Sequence, residues 1–403
     1  MRLGGRRGRV VRPAAALMAL LAALTVFAAC GRSTHSSSPT TFTAPQSATT
    51  PEQTAPRPSV TPTTHPRATK PRPWRTGFAD GVMPLQDNDA DLARDLDGMA
   101  ATGAHWFRVD FYWPTIQDGG PNSWDWSDTD RVVKGAIDRG LEVLAMPAYS
   151  PTWARPPGTP DHHPPLDPDT YARFVYAAVK RYAPLGVHTW EIWNEPNTSA
   201  FWPPKPDPAA YTQLLRRAYV AIKSADPTAF VLTAGLATGL DRSDGTTLSA
   251  RTFLRRAYDA GAKGYFDAVG LHPSAFPAMP LDPHDWNSFY NTPELYQVMV
   301  DHGDGAKQIW GTEFSAPTGA AQTAGTKRFQ FDTLVAGYRA WIAWPFTGPL
   351  LWYSWRDSGT NAYDLEENFG LVANDGAPKP ALLAFDSVVH GAAGPVTKPV
   401  AKP

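Results

Sequence analysis

The feature that most constrains the fold is a regular alternation of strand-like and helix-like segments between residues 74 and 390. Short β-prone apolar runs are each followed by a longer segment whose apolar residues recur at helical spacing. The eight predicted strands are 77–82, 105–110, 141–146, 187–193, 229–234, 266–271, 308–313 and 349–354. Strands separated by helices pair in parallel, and eight such units close into a barrel. The sequence therefore predicts an α/β fold, a single (β/α)₈ TIM barrel that forms one catalytic domain.

An open, doubly wound sheet is the rival fold. Such a sheet commonly carries a glycine-rich phosphate loop after its first strand, and residues 77–82, GFADGV, lack that pattern. The helices predicted between the strands and after the last one are 89–102, 128–140, 169–182, 207–225, 251–261, 294–302, 327–340 and 380–390. This unbroken run of units favours the closed barrel.

The first 73 residues differ in composition from the rest of the chain. Residues 1–29 hold five arginines, no acid and an apolar run from Ala14 to Ala29, which is typical of a signal peptide. Residues 30–73 are rich in Ser, Thr and Pro and predict a disordered tether. Residues 391–403 predict a loose tail. The predicted catalytic domain is 74–390.

Cys30 closes the apolar segment in the run VFAAC. This run resembles a bacterial lipoprotein signal, in which the cysteine is acylated after cleavage, although Phe27 stands where leucine is usual. We expect export to the cell envelope, with a lipid anchor at Cys30 on the outer face of the bacterial membrane, or secretion. An uncleaved anchor is the alternative, but Ala14–Ala29 falls short of the ~20 residues that span a bilayer comfortably.

Charge and cysteine content exclude several classes of protein. Cys30 is the only cysteine, so the chain forms no internal disulfide and no cysteine-based metal site. The net charge is −1, and the predicted mature part is more acidic still, which argues against nucleic acid as a partner. The only expected membrane contact is the lipid anchor, and the expected state is a monomer.

Functional side chains of such barrels lie at the carboxyl ends of the strands. The residues at those positions are polar or aromatic, and were selected by place alone: Arg108, Asp110, Tyr149, Asn194, Glu195, His272, Glu313 and Trp352. Glu195 is the last residue but one of the run WEIWNEP, and Glu313 is the last residue but one of QIWGTEF. Two carboxyl groups ~5 Å apart suit glycoside hydrolysis with retention, one as acid and one as nucleophile. A single glutamate at a strand end is as readily explained by a salt bridge in a loop as by catalysis. Two glutamates at matching positions favour the catalytic interpretation.

Motifs across residues 74–390 resemble glycoside hydrolase clan A, and within it family 39 and related family 5-like enzymes. The motifs are WNEP (193–196), GTEF (311–314), FRVDFYW (107–113), VGLHP (269–273) and FGLVANDGAPKPA (369–381). The resemblance implies that Glu195 is the acid/base, Glu313 the nucleophile and Asn194 a donor to the sugar 2-hydroxyl. Ser274 replaces the tyrosine that often binds the nucleophile in this clan, so Tyr149, Arg108 or another group would substitute.

The remaining candidates are expected to bind substrate, each with a structural alternative. Arg108 would hold Glu313 ionised or simply pair with Asp110, and an aromatic surround would keep Glu195 protonated. His272 would orient Glu313 or contact the sugar, unless it is a satisfied core histidine. Trp352 would form a sugar platform or fill the core, and Trp153, Trp202 and Trp355 are further candidates for subsites. His162 and His163 are adjacent on a proline-rich loop and are not expected to bind a metal together.

The sequence thus predicts an exported retaining glycoside hydrolase that cleaves O-glycosidic bonds, with a polysaccharide as the expected substrate. No cofactor and no metal are expected. Two alternatives remain open: a catalytically silent glycan-binding barrel, and a transglycosylase that uses the same two glutamates. A solute-binding lipoprotein would need two α/β lobes rather than one continuous run.

Overall fold

The computed structural model describes residues 76–320 and 325–389. The predicted signal peptide, the Cys30 lipidation site, the tether and the tail lie outside these residues. None of the described helices is both long and apolar enough to cross a lipid bilayer.

Eight parallel strands form a closed barrel in which each strand pairs with the next and β8 pairs with β1. They are β1 Thr76–Ala79, β2 Trp106–Tyr112, β3 Glu142–Ala148, β4 Thr189–Glu191, β5 Phe230–Leu232, β6 Ala268–Leu271, β7 Gln308–Phe314 and β8 Thr347–Trp352. The predicted (β/α)₈ TIM barrel is confirmed. All carboxyl ends of the strands therefore meet at one mouth.

Helices connect the strands and cover the outside of the barrel. They are α1 Met83–Gln86, α2 Asp89–Ala101, α3 Trp113–Ile116, α4 Ser127–Ile137, α5 Pro168–Tyr182, α6 Pro208–Ala225, α7 Ala250–Asp259, α8 Thr292–Asp301, α9 Lys327–Ala343 and α10 Pro380–Val389. Side-chain oxygens accept hydrogen bonds from N–H groups in the first turns of α2, α5, α6, α7 and α9, and come from Asn88, Asp167, Asp207, Ser249 and Thr326. These caps fix where each helix begins and thus the length of the loop before it.

The alternation of strands and helices is as predicted, but several boundaries differ. The β4 ladder ends at Glu191 rather than Trp193, because Trp193 has a φ of 73° and leaves the extended conformation. The short helices α1 and α3, each with proline in its first turn, were not predicted. Both follow a strand end, so they add to the rim of the mouth.

The barrel interior is filled at the amino-terminal end by a small apolar cluster. Its residues are Ala79, Trp106, Leu144, Leu232, Ala268, Trp310 and Leu351. The rings of Trp106 and Trp310 meet edge to face, with 5.1 Å between their centroids. This plug closes the barrel beneath the mouth, so polar side chains above it reach solvent on one side only.

Candidate active site

A layer of buried polar side chains lies directly above the apolar plug. Trp106, Arg108 and Asp110 alternate along β2, so Arg108 follows Trp106 on the inner face of the barrel. Arg108 is 1% exposed and its guanidinium donates to three acceptors: Glu191, Glu313 and, at 2.9 Å, Asn194 Oδ1. Burial alone would lower the pKa of Arg108, but Glu191 and Glu313 raise it above its usual value. The arginine therefore stays charged and joins the ends of β2, β4 and β7.

Glu191 is fully buried in this layer and was not among the sequence candidates. It pairs with Arg108, and its Oε1 accepts a hydrogen bond of 2.7 Å from Thr312 Oγ1. A buried carboxylate is tolerated because both of its oxygens have partners. The signal in the sequence was the place of Glu191 within the apolar run WEIW, where a charged residue needs a buried partner.

The chain takes two left-handed steps after β4, at Trp193 and at Glu195, whose φ is 44°. Non-glycine residues rarely adopt this conformation, which costs about 1–2 kcal/mol for each residue. Contacts hold the strained segment: Trp193 Nε1 donates to Phe201 O at 2.9 Å, and Glu195 N donates to Gly235 O at 3.1 Å. The strain turns Asn194 and Glu195 toward the mouth and is of the kind found at functional sites.

Asn197, just after Pro196, fixes the segment from the other side. Its Nδ2 donates to Ala237 O and Leu248 O, and its Oδ1 accepts from Ala237 N at 2.8 Å. The side chain is completely buried. Asn197 was not predicted to have a structural role, because an asparagine that follows Asn-Glu-Pro in a sequence is indistinguishable from an ordinary loop residue.

A β-bulge in β7 directs Glu313 inward. Gly311 pairs with Leu350 and Phe314 with Trp352, so β7 uses three residues where β8 uses two. Because of this extra residue, Thr312 reaches Glu191 while its neighbour Glu313 reaches Arg108. Phe314 then returns to the outer core against Tyr338 of α9.

His272 stands between the two glutamates. Its Nδ1 is 2.7 Å from Glu195 Oε1 and 3.5 Å from Glu313 Oε2, and one ligand atom of each of the three residues lies within 4.8 Å of the others. Burial would lower the pKa of His272, but the charges of Glu313 and Glu195 outweigh it and raise that pKa. The predicted link between His272 and the glutamates is present as these contacts. The two carboxyl groups approach as closely as retaining chemistry requires, ~5 Å.

Gly235 makes room for the His272 ring. A Cβ at position 235 would lie 2.1 Å from His272 Nε2 and 2.6 Å from Thr312 Oγ1. Only glycine fits at the end of β5 while the histidine keeps this orientation. The close contact between Gly235, which follows β5, and His272, which follows β6, was not predicted from the sequence.

Asn194 is oriented by Arg108. Because the guanidinium donates to Oδ1 at 2.9 Å, the amide Nδ2 is left to donate elsewhere. This orientation suits the expected donor role toward a sugar hydroxyl. Arg108 also binds Glu313, so it is a partner for this glutamate of the kind expected in place of the tyrosine that Ser274 replaces.

Tyr149 lies in the wall of the mouth. Its ring contacts Trp193 edge to face at 5.6 Å and lies 4.2 Å from the His162 ring. Burial, followed by the nearby charge of Asp110, raises the pKa of its phenol well above the usual value. The hydroxyl is thus a neutral donor beside the acids, although it makes no hydrogen bond with Glu313 among the described contacts.

Trp352 does not face the mouth, and its expected role as a sugar platform is wrong. The ring is completely buried, packs edge to face on Phe314 at 5.4 Å, and donates from Nε1 to Phe369 O at 3.2 Å. Strand alternation explains the error, because Leu351 points into the barrel plug and Trp352 therefore points outward. The next residue, Tyr353, follows the end of β8, is half-buried and packs against the plug on the inner side of the barrel.

Other aromatic candidates are structural as well. Trp202 and Trp355 are buried, and Trp355 packs edge to face on Phe78 at 5.0 Å. Trp153 is partly exposed and donates from Nε1 to Gln117 O. His162 and His163 direct their Nδ1 atoms to the carbonyl oxygens of Ala200 and Pro164.

Two aspartates lie beside these groups, Asp80 after β1 and Asp110 in β2. Burial raises the pKa of each to about 7, against the opposing influence of the Trp355 N–H on Asp80 and of Arg108 on Asp110. Arg108 makes no ion pair with Asp110 among the described contacts, and Asp110 Oδ1 is buried without a hydrogen-bond partner. The alternative that Arg108 serves mainly to pair with Asp110 is therefore wrong.

Within the described residues, one group of side chains could hold a metal ion: Glu195, His272 and Glu313. These three residues are the two glutamates and the histidine that form the candidate active site. A metal there would compete with a sugar for the site rather than occupy a separate one.

Comparison with known proteins adds a sequence match and a set of structural likenesses. Residues 82–252 match the family model described as cellulase, glycosyl hydrolase family 5. That segment runs from the loop after β1 through the start of α7 and includes Arg108, Asn194 and Glu195. No curated protein sequence matches the chain significantly.

Several solved structures share the barrel. A family 39 glycoside hydrolase from Bacteroides cellulosilyticus WH2 has 22% sequence identity and a TM-score of 0.63, over 80% of this chain and 64% of that one. A monomeric beta-xylosidase from Caulobacter crescentus CB15 has 19% identity and a TM-score of 0.60, over 80% and 69%. GH5_18 from Streptomyces cattleya, in complex with GlcNAc, has 17% identity and a TM-score of 0.60, over 82% and 83%. The chain thus spans less than two thirds of the family 39 protein, and at these identities the likeness shows a shared fold.

Proposed function

We propose that this chain, a glycosidase with a family 5-type glycosyl hydrolase match, cleaves O-glycosidic bonds by double displacement with Glu195 as acid/base and Glu313 as nucleophile. The observation that carries the proposal is the grouping of Glu195, His272 and Glu313 within 4.8 Å at the mouth of the barrel. Carboxyl groups this close leave no room for a water between nucleophile and sugar, as inversion would need. Retention of configuration is the expected outcome.

In the first step, a carboxylate oxygen of Glu313 forms a bond to the anomeric carbon while the bond to the leaving oxygen breaks. Glu195 gives its proton to that oxygen, so the aglycone leaves as an alcohol. In the second step Glu195 takes a proton from water, the water oxygen attacks the anomeric carbon, and the bond to Glu313 breaks. Two displacements at one carbon restore the original configuration.

The surrounding residues support each step. Arg108 orients Glu313 through their ion pair. The hydrogen bond between His272 and Glu195 holds the acid/base beside the nucleophile, whichever of the two carries the proton. Asn194 accepts from Arg108 through Oδ1, so its amide Nδ2 remains to donate to a hydroxyl next to the anomeric carbon.

A glycan, and more specifically a polysaccharide, is the substrate that we propose. Support comes from the long segment between β3 and α5, which contributes Tyr149 and His162 to the wall of the mouth. The solved neighbours named above include a beta-xylosidase and a protein in complex with GlcNAc. Transglycosylation would follow if a sugar hydroxyl replaced water in the second step.

The test is turnover of a panel of polysaccharides and aryl glycosides by the wild type, Glu313→Gln and Glu195→Gln. We expect at least a ~10³-fold loss of kcat in either variant, because each lacks an ionisable group that the reaction needs. Glu367→Gln is the matched control, since the Glu367 Oε2 atom accepts from Asn361 N in the loop rather than binding in the mouth. A 2-deoxy-2-fluoro glycoside with a good leaving group should label Glu313 in the wild type.

Equal glycan binding by the wild type and Glu313→Gln without turnover would contradict the proposal and support a silent glycan-binding barrel. A product that contains the added acceptor sugar rather than water would identify a transglycosylase. Both results leave the fold unchanged.

We also infer that the protein is exported and held at the outer face of the membrane through Cys30. The support is the run VFAAC after a basic and apolar segment, followed by the Ser/Thr/Pro-rich residues 30–73. A tether of this composition would let the barrel reach an extracellular polysaccharide.

A further inference from the structure

We propose that Asp110 binds the 3-hydroxyl of the reacting sugar and thereby selects sugars that carry a free hydroxyl at that carbon. The inference rests on the proposed function, because it concerns the sugar held by the same site. Three observations carry it: the place of Asp110 on β2, the residues on either side of it, and the lack of a partner for its carboxyl group.

The place of Asp110 follows from strand alternation. Trp106, Arg108 and Asp110 share the inner face of the barrel, since successive residues of a strand point to opposite faces. Phe107 and Val109, which lie between them, are buried in the core around the barrel. Trp106 belongs to the apolar plug and Arg108 to the polar layer above it. Two further residues of a strand advance about 6.6 Å, so Asp110 is the next inward side chain of β2 toward the mouth.

The residues beside Asp110 in the barrel offer its side chain no donor. On the β3 side its partner in register is Met146, whose side chain is apolar. On the β1 side Asp110 N donates to Gly81 O at 3.1 Å, and Gly81 has no side chain. A Cβ built at position 81 would lie 3.9 Å from Asp110 Oδ1, with no other group within 4 Å apart from its chain neighbours. Space is therefore left beside the carboxyl group.

The carboxyl group of Asp110 is buried and incompletely paired. The residue is 5% exposed, and its Oδ1 atom accepts no hydrogen bond from the residues that the structure describes. Burial raises the pKa of Asp110 to about 7, so both forms are present near neutral pH, and both can accept a hydrogen bond from a hydroxyl. A proton alone does not satisfy the group, because the neutral carboxyl gains a donor that also needs a partner. Buried polar atoms without partners are rare in proteins, and a ligand at the mouth would supply the missing one.

The order of the strands indicates which hydroxyl this is. The proposed reaction places the anomeric carbon between Glu195 and Glu313 and the 2-hydroxyl at Asn194, after β4. Arg108 links Asn194 to β2 through a hydrogen bond of 2.9 Å. A sugar with its C2 over Asn194 therefore extends its C3 toward β2, where Asp110 is the inward side chain nearest the mouth.

The experiment measures how far Asp110 and the 3-hydroxyl depend on each other. The substrates are the 2,4-dinitrophenyl glycosides of glucose, xylose, mannose and galactose, in both anomers, with their 3-deoxy and 2-deoxy analogues. We expect the loss of the 3-hydroxyl to reduce kcat/KM at least ~10-fold more in the wild type than in Asp110→Ala, since only the wild type loses a hydrogen bond to a buried acid. The reactivity of the deoxy sugars themselves cancels, because the same two substrates are compared in each protein.

Two further variants complete the design. Asp110→Leu has nearly the shape of aspartate and no acceptor, so it should behave like Asp110→Ala and the comparison does not depend on the folding of one variant. Asp138→Ala removes an exposed aspartate after α4 and should keep the full penalty for loss of the 3-hydroxyl. The penalty for loss of the 2-hydroxyl should be the same in all four proteins, because we assign that group to Asn194. A merely structural role of Asp110 would instead lower kcat/KM on every substrate by one factor.

Each outcome decides a different point. A penalty for the 3-deoxy sugars that is the same in the wild type and both Asp110 variants would overturn the role of Asp110, while turnover of the parent glycosides would leave the glycosidase intact. A penalty that changes only for the 2-deoxy sugars would overturn the assignment to the 3-hydroxyl. Absence of turnover and of fluoro-sugar labelling in the wild type would overturn the proposed function itself and the inference with it.

Discussion

At the scale of single residues, Arg108 explains most of the geometry of the site. One guanidinium binds Glu191, Glu313 and Asn194, and therefore sets the positions of the proposed nucleophile, a buried structural acid and a proposed hydrogen-bond donor together. A lysine could not do this, because it lacks the planar fork of donors. Such a shared partner makes the site rigid, and it also makes neighbouring residues sensitive to small changes.

Gly235→Ala tests this sensitivity without changing any polar group. The added methyl would meet His272 Nε2 and Thr312 Oγ1, so we expect the histidine ring to move and its hydrogen bond to Glu195 to weaken. The expected result is a fall in kcat of about 10- to 100-fold, the effect of slightly misplaced catalytic groups. Kinetics and a thermal melt measure the two consequences separately.

Gly305→Ala is the control for that substitution, since Gly305 lies in the loop before β7 and its new methyl would meet a methyl group of Val300 in α8. A Gly235→Ala enzyme with unchanged kcat would show that the position of His272 does not matter for turnover.

The raised pKa of Asp110 predicts that the stability of the protein depends on pH. Its pKa is raised from 3.8 to about 7, so between these values the folded chain holds a proton that the unfolded chain releases. The stabilisation is complete below pH ~4 and is lost as the pH rises toward 7. The Asp110→Asn variant has no carboxyl group at this position and therefore does not lose this stabilisation. We expect the difference in the free energy of unfolding, variant minus wild type, to rise by at least about 1 kcal/mol between pH 4 and pH 7.

Denaturant unfolding of both proteins at several pH values gives the measurement. Asp138→Asn, at an exposed position after α4, controls for a general loss of charge. Parallel stability curves for Asp110→Asn and the wild type would show that Asp110 titrates normally.

At the scale of elements, the loop between β8 and α10 depends on a buried ion pair. Lys379 is 3% exposed, and its ammonium binds Asp357 Oδ1 at 2.7 Å and Thr318 Oγ1 at 2.8 Å. Lys379→Met would leave Asp357 buried without its cation, and we expect a loss of stability of about 3 kcal/mol or more. Activity should fall as well, because this loop begins at Tyr353, which packs against the barrel plug.

The double variant Lys379→Met/Asp357→Asn should recover part of the lost stability, since it removes the unpaired charge. Thermal and denaturant unfolding of the single and double variants form the measurement. A single variant as stable as the wild type would mean that the pair contributes nothing to the anchoring.

The elements also show what could be predicted from the sequence. The hydrophobic periodicity and the spacing of the segments predict the eight strands and place Glu195, His272 and Glu313 at strand ends. Both features depend on local sequence patterns. The direction of a side chain depends on alternation and its interruptions. Trp352 was misplaced for this reason, and the bulge at Glu313 was not foreseen, since both follow from pairing with a neighbouring strand.

At the scale of the whole molecule, we propose separate tasks for the barrel and for the segment before it. The proposed catalytic residues are Glu195 and Glu313, whereas the proposed anchor is at Cys30. We therefore expect Cys30→Ser in the full chain to leave kcat/KM unchanged but to move the protein from the membrane fraction to the medium. Fractionation and labelling with a radioactive fatty acid provide the measurement, and membrane retention of the variant would indicate an uncleaved anchor.

The bulge in β7 has a consequence for how such barrels diverge. Since one additional residue between Gly311 and Phe314 turns Glu313 inward, the proposed catalysis depends on the length of the strand as well as on the identity of its side chains. A deletion of one codon there would change the pairing with β8 and point the glutamate away from the mouth. A single event of this kind would leave a barrel that binds sugars without cleaving them, although WNEP and the motifs of the other strands remain in its sequence.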